Sequence, residues 1–224
     1  MDEVQRIKDV YKQRSRKSVS TYSYFFSRQR EIEIKAALGR AGFTSLEGKN
    51  ILDIGCGNGA ILSYFFKEGV SPENLYGIDL LPGRIEEGKR LYPGMHFTCG
   101  NAEILPYPDE FFDIITQSTV FTSILDYEMK RKISAEILRV LKPYGVLVWH
   151  DYRFNNPLNP NAKGIGRREI VSLFPGCQFK IKLINHNPFI ARPLSRLSWR
   201  LCEALKKVPF LRTHWLVTIK KRTF

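Results

Sequence analysis

The sequence is short of cysteine and lacks any long apolar segment, and both absences narrow the class of protein. Four cysteines stand among 224 residues, without a C-x-x-C pair or the spacing of a zinc site. We therefore expect free thiols in a reducing compartment, with neither a disulfide framework nor a metal centre. No apolar run approaches the roughly 18 residues of a membrane-spanning helix, so none is expected.

The amino-terminal segment and the composition favour a folded cytoplasmic protein. Residues 1–17 lack the apolar core of a secretory signal, which favours the cytoplasm. Hydrophobic residues make up 43% of the chain and aromatic residues 12%, which excludes a wholly disordered chain. The length suits one domain with appendages.

Positive charge is concentrated at the two ends of the chain. Residues 1–40 hold ten Lys or Arg against five Asp or Glu, and residues 189–224 hold nine against one, whereas the middle is neutral. Basic ends favour anionic partners such as nucleic acid, phospholipid or a phosphorylated substrate. The solubility of exposed helix surfaces explains the same charges equally well.

Short apolar runs alternate with helical patterns along the chain. Strands are expected at residues 50–54, 75–79, 95–99, 111–117 and 145–149. Helices are expected at residues 22–42, 60–67, 83–91 and 127–141. This alternation predicts an α/β protein with a parallel sheet covered on both faces. Residues 178–184 and 215–219 predict an antiparallel hairpin at one edge of that sheet.

A glycine-rich turn joins the first predicted strand to the first helix after it. Residues 51–62 read ILDIGCGNGAIL, which lets the backbone turn sharply and lets a ligand approach the amides at the helix N-terminus. The G-x-G-x-x-A pattern also matches a relaxed dinucleotide fingerprint. Asp53, however, stands just before the glycines, where a carboxylate suits a cationic amine better than a pyrophosphate. Asp79 ends the second strand and can accept both hydroxyls of a ribose.

A third segment selects among the ligand classes. Residues 100–113 read GNAEILPYPDEFFD. With the glycine turn and the acidic end of the second strand, this segment resembles the class I S-adenosylmethionine-dependent methyltransferases over about residues 45–150. The resemblance implies a Rossmann-like, doubly wound sheet of seven strands, mostly parallel. It also implies S-adenosylmethionine as cofactor and S-adenosylhomocysteine as product. A protein that binds this cofactor without catalysis is the alternative.

The same resemblance assigns residues to the cofactor. It places around the methionine half Asp53, Gly55, Cys56, Gly57, Gly59 and Gln117. It gives Asp79 to the ribose, and it gives the adenine Leu80, Asn101 and Ala102. Asn101 departs from the family pattern, which has Asp there, although its amide oxygen can still accept from the adenine amino group. Alternatively, Gly59 only relieves helix packing and Asn101 only forms a turn.

Two segments are expected beside the methyl group, because ligands of open α/β sheets bind at the carboxyl ends of the strands. These are residues 117–121 and 150–153. His150 is the candidate general base, since its ordinary pKa lies near neutrality, and Asp151 beside it is the second candidate. A hydrogen-bonded structural histidine is the alternative. The other three histidines are given no role.

The loop at residues 151–167 is rich in asparagine and predicts an acceptor site. Arg153, Asn155 and Asn156 suit a hydroxyl-rich or phosphorylated ligand, and Tyr22 is a candidate wall of the site. An ordinary proline–asparagine turn is the alternative. The W-[HY]-D-x-R-x-N-N-P stretch, with residues 173–176 and 213–215, looks like methyltransferases found with polysaccharide and glycolipid assembly. That resemblance implies O-methylation of a sugar or a lipid-linked glycan.

The ends of the chain complete the expected organisation. We expect residues 1–45 to form a helical cover and residues 46–224 the methyltransferase domain, with residues 186–212 an inserted basic helical lid. The lid can contact an anionic membrane surface, which would make the protein peripheral to the membrane, or pack on the domain. The motifs of amino-methylating nucleic-acid enzymes are absent, so nucleic acid is a less favoured partner. An RNA methyltransferase nonetheless stays open as an alternative.

Overall fold

Seven strands form one sheet at the centre of the molecule. The computed structural model describes residues 2–13, 21–156, 159–186, 190–191, 208 and 211–222, with the side chains of residues 21, 22 and 186 not among the described atoms. The strands are β1 Ile51–Ile54, β2 Leu75–Asp79, β3 His96–Cys99, β4 Phe112–Ser118, β5 Leu141–Tyr152, β6 Cys177–His186 and β7 Arg212–Lys221. The helices are α1 Glu3–Gln13, α2 Thr21–Arg40, α3 Ala60–Lys67, α4 Pro82–Leu91, α5 Tyr127–Val140 and α6 Arg167–Leu173.

The order of the strands is β3-β2-β1-β4-β5-β7-β6. The first five strands are parallel, whereas β7 pairs antiparallel with both β5 and β6. The predicted class, a mostly parallel Rossmann-like sheet of seven strands with an antiparallel C-terminal hairpin, is therefore confirmed. The chain reverses its direction of winding between β1 and β4, which creates the crevice where ligands of such sheets bind.

The register of the parallel strands brings polar side chains to one edge of the sheet. Asp53 in β1 lies beside Gly77 of β2 and Thr116 of β4. Asp53 and Thr116 stand near the carboxyl ends of their strands. The four residues of β1 are all buried, and apart from Asp53 they are apolar. Asp53 and Thr116 are therefore polar groups placed in a buried environment at this end of the sheet.

Helix α5 shows how sequence pattern and packing agree in this fold. Asp126 caps its N-terminus, because the carboxylate accepts from the backbone N–H groups of Glu128 and Met129. The face predicted to be apolar is buried in the main core, with Met129, Ile133 and Ile137 each at most 4% exposed. The helix ends at Val140 and passes directly into β5.

Strand β5 is longer than the sequence pattern predicts. The apolar run covers residues 145–149, but pairing with β7 extends the strand through Tyr152. Its last three residues lie opposite Leu216, Trp215 and His214. His150 and Asp151 therefore belong to a paired strand and not to a loop, which restricts where their side chains can go.

The two N-terminal helices cover different parts of the sheet edge. Helix α2 packs its apolar residues Ile34, Ala37 and Leu38 into the second core cluster, against the face that includes β5 and β6. Helix α1 contributes Ile7 to the main core. No helix in the described ranges is long and apolar enough to cross a membrane. The proposed lid at residues 186–212 lies largely outside the described residues.

Candidate functional site

A cavity of about 700 Å³ lies at the carboxyl ends of β1, β2 and β4. Its wall contains the glycine turn after β1, the tip of β2, the turn after β3 and the turn after β4. Helices α1 and α2 contribute Ile7, Tyr11 and Arg30. Most residues that the family resemblance assigns to the cofactor line it, namely Asp53, Gly55, Cys56, Gly57, Asp79, Leu80, Asn101 and Ala102.

Three glycines of this turn have positive φ values, but only Gly55 and Gly57 line the cavity. Gly55 and Gly57 have φ values of 69° and 56°, in the region that L-residues rarely adopt. A Cβ on Gly55 would stand 2.4 Å from the side chain of Val120. Gly59, at φ 91°, points elsewhere, because a Cβ there would meet the ring of Phe97 at 2.7 Å. Gly59 therefore permits close packing of α3 on its neighbours and does not line the cavity.

Asp79 is fixed by two backbone amides at the tip of β2. One carboxylate oxygen accepts from Gly57 N at 2.9 Å, and the other accepts from Leu81 N at 2.9 Å. The first bond ties the tip of β2 to the glycine turn. Each oxygen keeps a further lone pair, so the carboxylate can still accept from a pair of ligand hydroxyls.

Asp53 is a buried carboxyl with a perturbed pKa. It is 2% exposed, and the Thr116 hydroxyl donates to it at 2.7 Å. Burial raises its pKa to about 7, while the Thr116 hydrogen bond and the positive charge of Arg30 act in the opposite direction. The group therefore titrates near neutrality and is ready to pair with a cation that enters the cavity.

Asn101 and Cys56 line the cavity with groups that are already engaged. The Asn101 amide oxygen accepts from Glu103 N at 3.1 Å, and its nitrogen donates to the Glu103 carboxylate at 2.7 Å. Asn101 thus forms a turn, and its oxygen has one lone pair left for a ligand. Cys56 is buried, and burial raises the pKa of its thiol far above the ordinary value. A buried thiol of this kind is inert as a nucleophile.

Gln117 and Asp151 lie behind the cavity wall and not on it. The Gln117 amide donates to Asp151 at 3.1 Å and accepts from Val120 N at 3.2 Å. Asp151 is fully buried and accepts from the Thr122 hydroxyl at 2.6 Å. Burial raises the pKa of Asp151 to about 7. Through these hydrogen bonds both side chains stabilise the conformation of the turn after β4. The role of Gln117 at the cofactor and that of Asp151 as a base stay predictions.

His150 also lies behind the wall, and it reaches the cavity through Ser118. It is 1% exposed, with Nδ1 2.9 Å from Ser118 Oγ and Nε2 3.1 Å from the Asn185 amide nitrogen. Its ring stacks on His214 at 4.8 Å. Burial, His214 and Arg30 hold the pKa of His150 well below its ordinary value. The imidazole is therefore neutral at physiological pH, and its predicted role as a base is untested.

The side chain of Asn155 closes the loop after β5 through a hydrogen bond within the loop. The Asn155 side chain accepts from Gly164 N at 2.9 Å, and Arg153 stacks over the ring of Phe154 at 4.0 Å. Arg153, Asn155 and Asn156 do not line the described cavity. Tyr22 belongs to α2, but its side chain lies outside the described atoms. The predicted acceptor-binding roles of these four residues stay predictions.

Sequence reasoning expected residues 1–45 to form a helical cover, but it did not single out Tyr11, Arg30 or His214. Arg30 of α2 donates through Nη1 to Ser118 Oγ at 3.1 Å. In α1, the Tyr11 hydroxyl lies 2.9 Å from Ser123 Oγ, and Arg6 donates to the Ser123 carbonyl at 2.6 Å. These partners are about 90 to 120 residues apart in sequence. No local motif marks such pairs, and the basic composition of residues 1–40 is the only signal for Arg30.

The sequence is similar to methyltransferases in its central part. Residues 52–149 match the family model described as a methyltransferase domain. A phthiotriol/phenolphthiotriol dimycocerosates methyltransferase of Mycobacterium tuberculosis is 35% identical over 115 residues, which are 50% of this chain and 41% of the relative. A fatty-acid O-methyltransferase of Mycolicibacterium smegmatis is 34% identical over 115 residues, or 50% of this chain and 40% of the relative. The aligned region thus spans less than half of each relative.

The fold is similar to that of solved structures. An S-adenosylmethionine-dependent methyltransferase from Mesorhizobium loti superposes with a TM-score of 0.60 at 18% identity. The superposition covers 83% of this chain and 96% of that one. At this identity the likeness establishes the common fold.

Proposed function

We propose that this chain is a class I S-adenosylmethionine-dependent methyltransferase and that it transfers a methyl group from this cofactor to an oxygen of a lipid-like acceptor. The observation that carries the proposal is the single cavity that joins the glycine turn, Asp53 and Asp79. The two relatives named above are described as methyltransferases of a complex lipid and of fatty acids. A sugar hydroxyl on a lipid-linked glycan is the finer version suggested by the asparagine-rich loop.

The residues on the cavity wall suit S-adenosylmethionine, the cofactor of this family. The cofactor carries an ammonium, a carboxylate and a ribose diol. Asp53 supplies a carboxylate for the ammonium, and the two oxygens of Asp79 suit the diol. The apolar Leu80 and Ala102 suit the faces of an adenine. The volume of about 700 Å³ is in the range of small-molecule sites.

The chain contributes position and electrostatics to the reaction. When bound, the cofactor supplies a methyl group that is already activated as a sulfonium. Asp53 and the glycine turn after β1 would hold the amino-acid end of the cofactor, and Asp79 at the tip of β2 would hold its ribose. Ser118 and Thr119 stand at the turn after β4 and line the same cavity. Helices α1 and α2 add Ile7, Tyr11 and Arg30 to the wall of the cavity.

The proposal is tested by methyl transfer from cofactor labelled in the methyl group. Purified protein is incubated with a medium-chain fatty acid, a lipid extract, a lipid-linked oligosaccharide fraction and total RNA in separate reactions. We expect label in the lipid-soluble products. The Asp79→Asn variant serves as the matched control, because it keeps the shape of the side chain and removes its charge.

Each outcome of this assay supports or contradicts the proposal. Label in lipid that disappears with Asp79→Asn supports it, and label in the oligosaccharide headgroup supports the glycan version. Label only in RNA would replace the lipid acceptor with a nucleic acid. Tight binding of S-adenosylhomocysteine without label in any fraction would favour a binding protein on the same fold.

A further inference from the structure

Arg153, at the start of the loop after β5, is a half-buried cation whose charge is not balanced by any described residue. Its Nε is buried without a hydrogen-bond partner, and its guanidinium forms no ion pair within the described ranges. Burial lowers the pKa of Arg153, and no carboxylate acts in the opposite direction. A guanidinium that has lost part of its hydration without gaining a counter-ion favours the binding of an anion, since charge-assisted hydrogen bonds are among the strongest in proteins.

Two aromatic rings hold the Arg153 side chain in place. Its Cζ lies 4.0 Å from the ring centre of Phe154 and 6.0 Å from that of Trp215. We call these three residues the arginine clamp. The rings attract the positive charge but offer no oxygen to the guanidinium N–H groups. The clamp therefore orients Arg153 and leaves its hydrogen-bonding capacity unused.

Both rings of the clamp are themselves fixed by the loop. Trp215 Nε1 donates to the carbonyl oxygen of Ile165 at 2.9 Å. Gly164 packs on the backbone of Phe154, where a Cβ would stand 2.4 Å from the carbonyl carbon. The Asn155 side chain closes the same contact by accepting from Gly164 N. The clamp is thus formed without a ligand, which lowers the cost of binding one.

The segment around the clamp carries positive charge only. Residues 152–168 contain no Asp or Glu, and their charged side chains are those of Arg153, Lys163, Arg167 and Arg168. The two acids that flank the segment are engaged, because Asp151 accepts from the Thr122 hydroxyl and Glu169 accepts from Lys130 at 2.7 Å. Such a field favours a doubly charged phosphate over a singly charged carboxylate.

The clamp adjoins the cofactor cavity but does not belong to it. Arg153, Phe154 and Trp215 are absent from the cavity wall. Their loop is tied to the turn after β4, because Lys163 N donates to the Thr122 carbonyl oxygen at 2.8 Å. The neighbours of Thr122 in that turn, Val120 and Ser123, line the cavity. An anion at the clamp is therefore separated from the cofactor by a single turn of the chain.

We propose that the arginine clamp binds a phosphate group outside the cofactor cavity, with Arg153 as the residue that contacts it. The phosphate is either an ester in the headgroup of the acceptor or free phosphate. The first source rests on the proposed function, and it makes the acceptor a phosphorylated molecule whose methylated oxygen lies on another part of it. The clamp binds this group and takes no part in the transfer of the methyl group.

The test is isothermal titration calorimetry with probes that differ in the phosphate, in the presence and in the absence of S-adenosylhomocysteine. The first pair is hexyl phosphate and hexanol, the second is glucose 1-phosphate and glucose, and inorganic phosphate is titrated alone. We expect Arg153→Met to weaken binding of the phosphate probes by about 10- to 100-fold and to leave the heats of hexanol and glucose unchanged. Esters that bind more tightly than inorganic phosphate identify the acceptor headgroup, and equal affinities identify free phosphate.

Arg90→Met is the matched control, because it removes the same charge from an exposed position on α4. It should bind every phosphate probe as wild type does. The clamp is not a phosphate site if wild type gives no heat with any phosphate probe, or if Arg153→Met and Arg90→Met behave alike.

A second variant keeps the test decisive if Arg153→Met fails to fold. The ring of Phe154 is 52% exposed, so Phe154→Leu should fold and should weaken the same probes severalfold by freeing the guanidinium. Unchanged affinity in Phe154→Leu would then overturn the proposal. Failure of wild type to bind S-adenosylhomocysteine would contradict the proposed function, whereas the titrations without that ligand would still decide the phosphate site.

Discussion

The two halves of the cavity are built in different ways. On the β1–β2–β3 side, the cavity wall is formed by residues that lie within a few positions of a strand tip, such as Gly57 and Asp79. On the β4–β5–β7 side, Ser118 contacts Arg30 and His150, and Asn185 in turn contacts His150, so that three distant segments meet there. The first half needs only a correct turn, whereas the second needs several elements to be docked together. We therefore expect the first half to tolerate few substitutions and the second to depend on the integrity of the fold.

The largest expected effect is at Asp79, which belongs to the first half. Asp79→Ala removes the acceptor for the Gly57 and Leu81 amides and the carboxylate for the ribose. We expect the affinity for S-adenosylhomocysteine to fall by roughly 100-fold or more, since several charge-assisted hydrogen bonds are lost together. Calorimetry measures this directly. The exposed carboxylate of Asp109, changed to Ala, is the control that should bind as wild type does.

His150 in the second half should affect turnover more than binding. We expect His150→Ala to lower turnover by about 100-fold while the affinity for S-adenosylhomocysteine stays within a fewfold of wild type. The His150→Gln variant distinguishes two roles of this residue, a general base as predicted from the sequence and a residue that only positions Ser118. A glutamine amide can donate to Ser118 and should restore much of the turnover, whereas it cannot take up a proton as a base. A Gln variant as slow as the Ala variant would restore the base to the mechanism.

The difference between the halves also explains what the sequence could predict. Asp53, Gly55, Gly57 and Asp79 lie in contiguous segments whose strand–turn–helix context is readable from local pattern, and all four line the cavity. Arg30 could not be found in this way. Its position beside Ser118 depends on the docking of α2 against β5 and β6, and tertiary packing of that kind leaves no period or spacing in the chain.

The second half also contains two predicted site residues whose side chains lie behind the cavity wall, and their predicted roles stay predictions. Gln117 and His150 stand at strand ends, where the open-sheet rule favours a ligand. Both turn inward, because β5 continues to pair with β7 and buried partners satisfy their polar atoms. A rule about strand ends thus locates the crevice without deciding which side chains face it.

A smaller effect is expected from the protonation of Asp53. Its folded-state pKa of about 7 lies above the ordinary value of 3.8, so the folded protein binds this proton more tightly than the unfolded chain does. Stability without ligand should therefore fall as pH rises from about 4 to about 7. Affinity for the ammonium of S-adenosylhomocysteine should rise as Asp53 ionises, by up to about tenfold between pH 6 and pH 8.

Asp53→Asn tests this assignment, because the amide keeps the shape and cannot ionise. Calorimetry with S-adenosylhomocysteine across pH 6–8 should give a nearly flat affinity for the variant. Asp151 has a similar pKa but does not line the cavity. Asp151→Asn should therefore weaken the dependence of stability on pH and leave the dependence of ligand affinity on pH unchanged. If the affinity of Asp53→Asn depends on pH as strongly as that of wild type, Asp53 does not pair with the ligand ammonium.

The smallest expected effect lies farthest from the cofactor, in the loop after β5. Asn155→Ala removes the acceptor for Gly164 N, an exposed hydrogen bond that closes the loop. We expect a loss of about 0.5–1 kcal/mol in the free energy of unfolding, measured by urea denaturation, and unchanged affinity for S-adenosylhomocysteine. Asn155→Asp keeps the acceptor and should retain the stability. If Asn155→Asp is as stable as wild type but raises KM for the acceptor severalfold, Asn155 contacts the acceptor as the sequence predicts, in addition to closing the loop.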